Sequence, residues 1–188
     1  GVLADRLYLL RSGRMKLVRR RNGSEATHAF IAPGEVFGAD SVGLDGRLDE
    51  RAVATTECEL WSFGVTQLPR IFEARPQLAV EVVRGLSLRQ RELARRLEAL
   101  ASQEVPARLA AQLLALAGSI GEASRQTGAR EVRGVTQQDL ADLVGASRSF
   151  VSTVVNELKR SGVLSSSGRT LVIRAPDRLA ALAQTRSA

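Results

Sequence analysis

The sequence predicts an α+β chain in three parts: an N-terminal antiparallel β-roll of the jelly-roll kind, a long helix, and a C-terminal winged helix-turn-helix. Three observations predict it. Short apolar runs across residues 6–65 are separated by turn residues. A heptad rhythm runs through residues 76–102. Residues 136–159, TQQDLADLVGASRSFVSTVVNELK, carry the period of two short helices joined at Gly145. The boundaries that follow are residues 1–75 for the roll, 76–104 for the long helix and 105–188 for the helix-turn-helix unit.

In the roll, LYLL is an apolar run, Ser12-Gly13 a turn, and RMKLVRRR the next strand. Asn22-Gly23 is a strong hairpin signal, because a type I′ turn needs positive φ at both central residues. ATHAFIA is the returning strand. Pro33-Gly34 turns the chain into EVFGADSVGL, residues 44–50 form a polar loop, and RAVATTECELWSFG reads as a closing strand pair. Several short strands at this spacing point to a roll or barrel. Residues 66–75 read as a short helix with Thr66 as its N-cap.

The long helix is expected from Pro76 to Ser102. Within it Ala79, Val83, Leu86, Gln90, Leu93, Leu97 and Leu100 recur at alternating steps of four and three. That is the seam of a two-stranded coiled coil, flanked by Arg84, Arg89, Arg91, Glu92, Arg95 and Arg96, with Gln90 as the polar residue that fixes register. The alternative is an amphipathic helix packed on its own domain. Val105-Pro106 interrupts the pattern, since proline cannot continue a helix interior. ARLAAQLLALAG (107–118) is a further apolar helix, and GSIGEASRQTGAREVRG (118–134) reads as a polar loop.

In the helix-turn-helix, Thr136 and Asp139 have the spacing of a capping box. Leu140, Leu143 and Val144 face a core. Ser147 caps the second helix, whose buried stripe is Val151, Val154, Val155 and Leu158. The opposite face carries Arg148, Ser149, Ser152, Thr153 and Asn156. A helix with such a face fits a DNA major groove, where an arginine can bond guanine O6 and N7 together. Arg148 is the expected base reader, with Ser149, Ser152 and Thr153 contacting bases or phosphates. Thr136, Gln137, Gln138, Ser147 and Arg169 are the expected phosphate contacts, because helix starts favour anions. Gly162 and the run SSSG at 165–168 bracket VL and RTLVI, a β-hairpin wing. APDRLAALAQTRSA ends the chain as a short helix.

Composition supports a nucleic-acid partner. The net charge is +7. Residues 1–104 hold 16 Lys and Arg against 14 Asp and Glu, while residues 105–188 hold 11 against 6, so the excess lies with the helix-turn-helix. A single cysteine, Cys58, excludes an intramolecular disulfide and a cysteine-ligated cluster within these residues, and fits a reducing cytoplasm. No apolar run approaches the ~20 residues of a membrane span. His28 is the only histidine, so haem ligation has little support, and no phosphate-binding glycine loop, metal pattern or nucleophile elbow is present. An enzyme is therefore not expected, nor a cofactor or resident metal. Gly1 is not an initiator Met and the first residues read as the middle of a fold, so further residues are expected before it.

LYLLRSGRMKLV, PGEVFG, RAVATTECELW, the heptad helix, VTQQDLADLVGASRSFVSTVVNELKRSGVL and SGRTLVI occur in the order found in one family. The chain resembles the cyclic-AMP receptor protein and fumarate–nitrate reduction regulator (CRP/FNR) family of bacterial transcription factors. The resemblance implies a cyclic-nucleotide-binding-like roll and a homodimer on near-palindromic double-stranded DNA, with RNA polymerase as a partner and the nucleoid as its place of work. It places Arg148 on the family's guanine-reading arginine, Ser149 where many members carry a glutamate, and Thr153 where the cyclic-AMP type carries an arginine. A serine cannot accept from cytosine N4 as glutamate does, so a changed half-site is expected.

The resemblance also implies an effector pocket after Phe37-Gly38, and here this chain departs. Ala39 stands at the ribose-binding glutamate, with Asp40 one position on. Arg51 stands as the phosphate arginine, but Ala52 replaces the serine beside it. Leu93 and Ala94 replace the adenine-contacting hydroxyls. Loss of these charge-assisted bonds argues against cyclic AMP. Either another effector acts, held through Arg51, or none does and Arg51 pairs with a carboxylate such as Glu50 or Asp49. Two further alternatives are a variant pocket using Asp40 and a ligand-binding or dimerisation module whose helix-turn-helix is silent.

Overall fold

The structure is a computed structural model that describes residues 5–21, 23–38, 50–124, 129–168 and 170–185. It divides into two compact units at Ala94 and Arg95, within the long helix.

The first unit begins with six strands: β1 (Arg6–Ser12), β2 (Met15–Arg21), β3 (Ser24–Ile31), β4 (Val36–Phe37), β5 (Glu50–Ala54) and β6 (Glu59–Gly64). They form two antiparallel three-stranded sheets, ordered β4-β1-β6 and β3-β2-β5. The expected Asn22-Gly23 hairpin is present as the β2–β3 pairing from Arg21↔Ser24 to Met15↔Ile31, with Gly23 at φ 82°; Asn22 lies outside the described residues. Leu10, Met15, Leu17, Ile31 and Phe37 form the core, with Tyr8, Ala29, Ala52 and Cys58 against it. The Tyr8 and Phe37 rings stack at 5.2 Å.

Two expectations are corrected here. RAVATTECELWSFG is not a strand pair: β5 pairs with β2, while β6 pairs with β1 in the other sheet. The crossover is pinned by hydrogen bonds to Arg14, whose carbonyl accepts from Thr55 N (2.9 Å) and whose N–H donates to Thr56 Oγ1 (2.9 Å). Thr66 does not cap a helix; Val65–Gln67 is a 3-10 turn leading into α1 (Leu68–Ala74), whose N-cap is Gln67. Of EVFGADSVGL, Val36 and Phe37 form a strand, and residues 39–49 lie outside the described set.

The long helix α2 spans Pro76–Ser102, as its heptads predict, and buries none of its side chains fully. Pro106 does more than end it. It sits in the first turn of α3 (Val105–Ser119), where its missing N–H costs nothing.

The second unit packs α3, α4 (Gln137–Val144), α5 (Arg148–Arg160) and α6 (Pro176–Ala183) with a four-stranded sheet. Its strands are β7 (Glu122–Ala123), β8 (Arg130–Arg133), β9 (Leu164–Ser167) and β10 (Thr170–Ile173), ordered β7-β8-β10-β9. The polar stretch 118–134 therefore contains two strands rather than a loop alone. β8 exists because Val132 pairs with Leu171 and is fully buried, while its three charged neighbours hide that from the composition. The serines 165–167, expected at a turn, are themselves in β9. Leu109, Leu113, Leu140, Val151, Val155, Leu164, Ile173 and Leu179 fill the core.

Leu17 is fully buried between strands of the roll. Leu17→Ala should lower stability by about 2–5 kcal/mol, the usual cost of a core leucine truncation. Urea denaturation followed by circular dichroism checks this; an unchanged midpoint for the roll contradicts it.

Candidate nucleic-acid interface

The helix-turn-helix is built by caps at each corner. Thr136 caps α4: its Oγ1 accepts from Asp139 N (3.1 Å), and Asp139 Oδ2 accepts from Thr136 N (2.8 Å) and Oγ1 (2.7 Å). Asp139 is 2% exposed, so this reciprocal box is a buried anchor rather than a surface ornament. At the other end Gly145 takes φ 65° and ψ 45°, a left-handed conformation that glycine adopts at little cost. A Cβ there would lie 3.1 Å from Leu100 Cδ2, so the end of α2 packs on the turn. Arg108 adds a second tie. Its guanidinium donates through Nη1 to the Gln103 carbonyl (2.5 Å) and through Nε to the Val144 carbonyl (3.0 Å), linking the end of α2 to the last turn of α4.

Ser147 caps α5 by accepting from Phe150 N at 3.2 Å. Val151, Val154, Val155 and Leu158 are buried, as the period predicts. The outward face carries Arg148, Ser149, Thr153 and Asn156 exposed, with Ser152 half-buried. Among the described residues no acceptor holds the Arg148 guanidinium. The neighbouring hydroxyls are engaged: Ser147 and Ser149 Oγ lie 3.1 Å apart, and Thr153 Oγ1 donates to the Ser149 carbonyl at 3.2 Å.

The structure thus gathers Ser147, Arg148, Ser149, Ser152 and Thr153 on the first two turns of one helix. The expected phosphate contacts stand differently. Thr136 is committed to its capping box. Gln137 is half-buried, and Gln138 is exposed with its amide donating to Asp142 Oδ1 (2.8 Å). Arg169 lies outside the described residues. Sequence reasoning missed Phe150, which is 48% exposed in the same turn as Arg148. A phenylalanine beside a buried stripe reads as part of that stripe, although its helical angle sets it to one side.

The seam of α2 is open on this chain. Val83, Leu86, Leu93, Leu97 and Leu100 are all exposed, from 44% at Leu86 to 69% at Leu97, and Gln90 is exposed with them. Ala79, Val82, Arg89, Glu92, Arg96 and Ala99 are the half-buried set on the helix.

The expected pocket residues are not brought together. Phe37 is core, and Gly38 (φ 81°) closes so tightly on Arg6 that a Cβ would lie 2.9 Å from its carbonyl. Arg51 is exposed and paired with the Glu25 carboxylate rather than with Glu50, while Asp49 lies outside the described residues. Asp40 lies outside the described residues. Glu50 instead meets His28, Nε2 to Oε2 at 2.7 Å, with its side chain 12% exposed. Burial raises the Glu50 carboxyl, but the His28 hydrogen bond and the charges of His28, Arg89 and Arg19 outweigh it and hold the group below its ordinary range. Glu35 moves the other way, raised by burial despite a bond from Ala32 N and the nearby charge of Arg89. No group of three or more His, Cys, Asp or Glu able to hold a metal occurs among the described residues.

Known proteins match both halves. The family described as "Crp-like helix-turn-helix domain" matches residues 107–182, and "Cyclic nucleotide-binding domain" matches residues 1–75. A CRP-like cAMP-activated global transcriptional regulator of Mycobacterium tuberculosis is 32% identical over 96% of this chain and 80% of its own. A global nitrogen regulator of Synechocystis is 29% identical over 94% and 79%. Among solved structures, a CRP-family transcriptional regulator from Thermus thermophilus is similar with a TM-score of 0.81 at 25% identity, covering 98% of this chain and 91% of that one.

Gly145→Ala should cost about 1–2 kcal/mol from the left-handed backbone alone, with further loss from the Leu100 contact. Urea unfolding of the variant checks it; equal or greater stability contradicts the account of the turn.

Proposed function

The chain belongs to the CRP/FNR family of transcriptional regulators, and we propose that it acts as a homodimer reading a near-palindromic DNA site without cyclic AMP. The observation that carries the reading is Arg148. It is exposed in the first turn of α5, and among the described residues no acceptor competes for its guanidinium. In a major groove that group pairs bidentately with guanine, one contact per half-site. Ser149 and Thr153 add hydroxyls where others of the family carry longer charged side chains, so the rest of the half-site differs from that of the cyclic-AMP type. Phosphate contacts come from Ser147, Gln137, Gln138 and Arg169, with Thr136, held in its capping box, ordering the helix start.

The open seam supports the dimer. Five exposed apolar residues in heptad register on α2 are costly to leave in water, and a second copy covers them in a coiled coil. Two-fold symmetry then matches two half-sites about one helical turn apart. The replacements at 39, 52, 93 and 94, together with an Arg51 turned to Glu25, support independence from cyclic AMP. The protein works by binding rather than catalysis, in the cytoplasm on the nucleoid, with RNA polymerase as its partner. No helix among the described residues is long and apolar enough to cross a membrane.

A second reading is a cyclic-nucleotide-responsive regulator with a variant pocket, and the cAMP-activated name of the Mycobacterium tuberculosis relative favours it. Duplex binding with and without cyclic AMP separates the two: unchanged affinity supports the first, and a large rise supports the second.

Selection of bound sites from random DNA, followed by titration, tests the whole reading. Specific sites should compete about 10³-fold or more better than bulk DNA. Arg148→Ala should lower specific affinity and relax the preference at one guanine per half-site; an unchanged base preference overturns the assignment. Leu93→Asp should shift the protein to monomer in sedimentation by placing charge in the seam, and a fully dimeric variant refutes it.

A further inference from the structure

Phe150 is an exposed aromatic on the flank of the recognition helix, and the proposed contacts give it no role. It occupies the third position of α5, two residues after Arg148 and one after Ser149. At two positions from Arg148 the ring stands on the other flank of the same turn, since residues i and i+2 of a helix do not face each other. Its backbone is held there, because its N–H donates to Ser147 Oγ. Its ring is not held, since 48% of the residue is exposed while Val151, Val154, Val155 and Leu158 beside it are buried.

An aromatic ring half in water at such a point is informative because its polar neighbours are occupied. Ser147 and Ser149 share a hydroxyl contact, and Thr153 is bonded back to its own helix. Beside those hydroxyls, which keep lone pairs to accept with, the first turn of α5 offers two groups of contrasting chemistry, the Arg148 guanidinium and the Phe150 ring. In a major groove the apolar feature is the C5 methyl of thymine, and phenylalanine is among the side chains that recognise it by contact.

We propose that Phe150 is a specificity-determining residue that reads a thymine methyl in the same half-site as the guanine read by Arg148, on the other flank of α5. This rests on the reading that α5 enters the major groove. The ring adds no hydrogen bond. It excludes water from the methyl and from its own exposed face, and so prefers thymine to any base without a C5 methyl. The preference is for the methyl group itself, which separates it from hydrogen-bond readout and from DNA shape.

Replacing thymine by deoxyuridine removes that methyl and leaves the base-pairing and groove hydrogen-bonding pattern intact. The test uses the full chain and the duplex recovered by selection, with deoxyuridine placed at each thymine in turn. Wild type should lose about fourfold in affinity at one thymine per half-site, the worth of one buried methyl-sized group. Phe150→Ala should bind the thymine duplex more weakly and show no difference between thymine and deoxyuridine there. Phe150→Leu should keep part of the discrimination. Thermal unfolding of each variant confirms that the helix-turn-helix is intact, and guanine preference through Arg148 should persist in both.

Equal sensitivity to deoxyuridine in wild type and Phe150→Ala overturns the proposal, as does a wild type indifferent to every substitution. A Phe150→Ala variant that loses self-association but keeps its base preference also overturns it, assigning the ring to a protein contact. Should wild type select no site at all, the failure belongs to the groove reading instead.

Discussion

The turn at Gly145 is the constraint on which the helix-turn-helix depends. Its left-handed backbone sets the angle between α4 and α5, and Leu100 packs against the space where a side chain would begin. Arg108 bridges the carbonyls of Gln103 and Val144 across the same junction. The last turn of α2 is thus fastened to the corner that aims the recognition helix. Under the proposed dimer, Leu100 belongs both to the seam and to this corner, so pairing of two copies there bears on the recognition helix. On that proposal, register along the coiled coil, with Gln90 as its polar residue, would become spacing along the DNA.

Charged groups of the roll pair with one another. Arg51, which stands as the phosphate arginine by resemblance, is turned to Glu25 at the surface. Burial raises the Glu50 carboxyl, but the His28 hydrogen bond and the charges of His28, Arg89 and Arg19 hold it below its ordinary range. Glu35, near Arg89 and raised by burial, is the opposing member of the set. These groups link β3, β5 and the first half of α2 by charge.

Much of the fold was legible because period and turn chemistry act locally. The heptads give α2 from Pro76 to Ser102, Asn22-Gly23 gives the β2–β3 hairpin, and the stripe through Val151 and Val155 gives α5. What was not legible depends on partners distant in sequence. β8 is a strand because β10 pairs with it, and only Val132 among its residues is apolar. β5 and β6 are neighbours in sequence but enter different sheets, because Thr55 and Thr56 are tied to Arg14. The candidate interface divides in the same way. The positions of Arg148, Ser149 and Thr153 follow from helical geometry, while the commitment of Thr136 to Asp139 and the exposure of Phe150 need the packed structure.

The proposal that dimer register becomes DNA spacing is tested most directly by varying that spacing. Two selected half-sites are placed in duplexes whose centre-to-centre separation changes in steps of one base pair, and affinity is measured for each. The account predicts one sharp optimum near a full helical turn, with binding falling toward that of a single half-site when the separation shifts by about five base pairs. Affinity independent of separation, or equal to that of a single half-site at every separation, would contradict it.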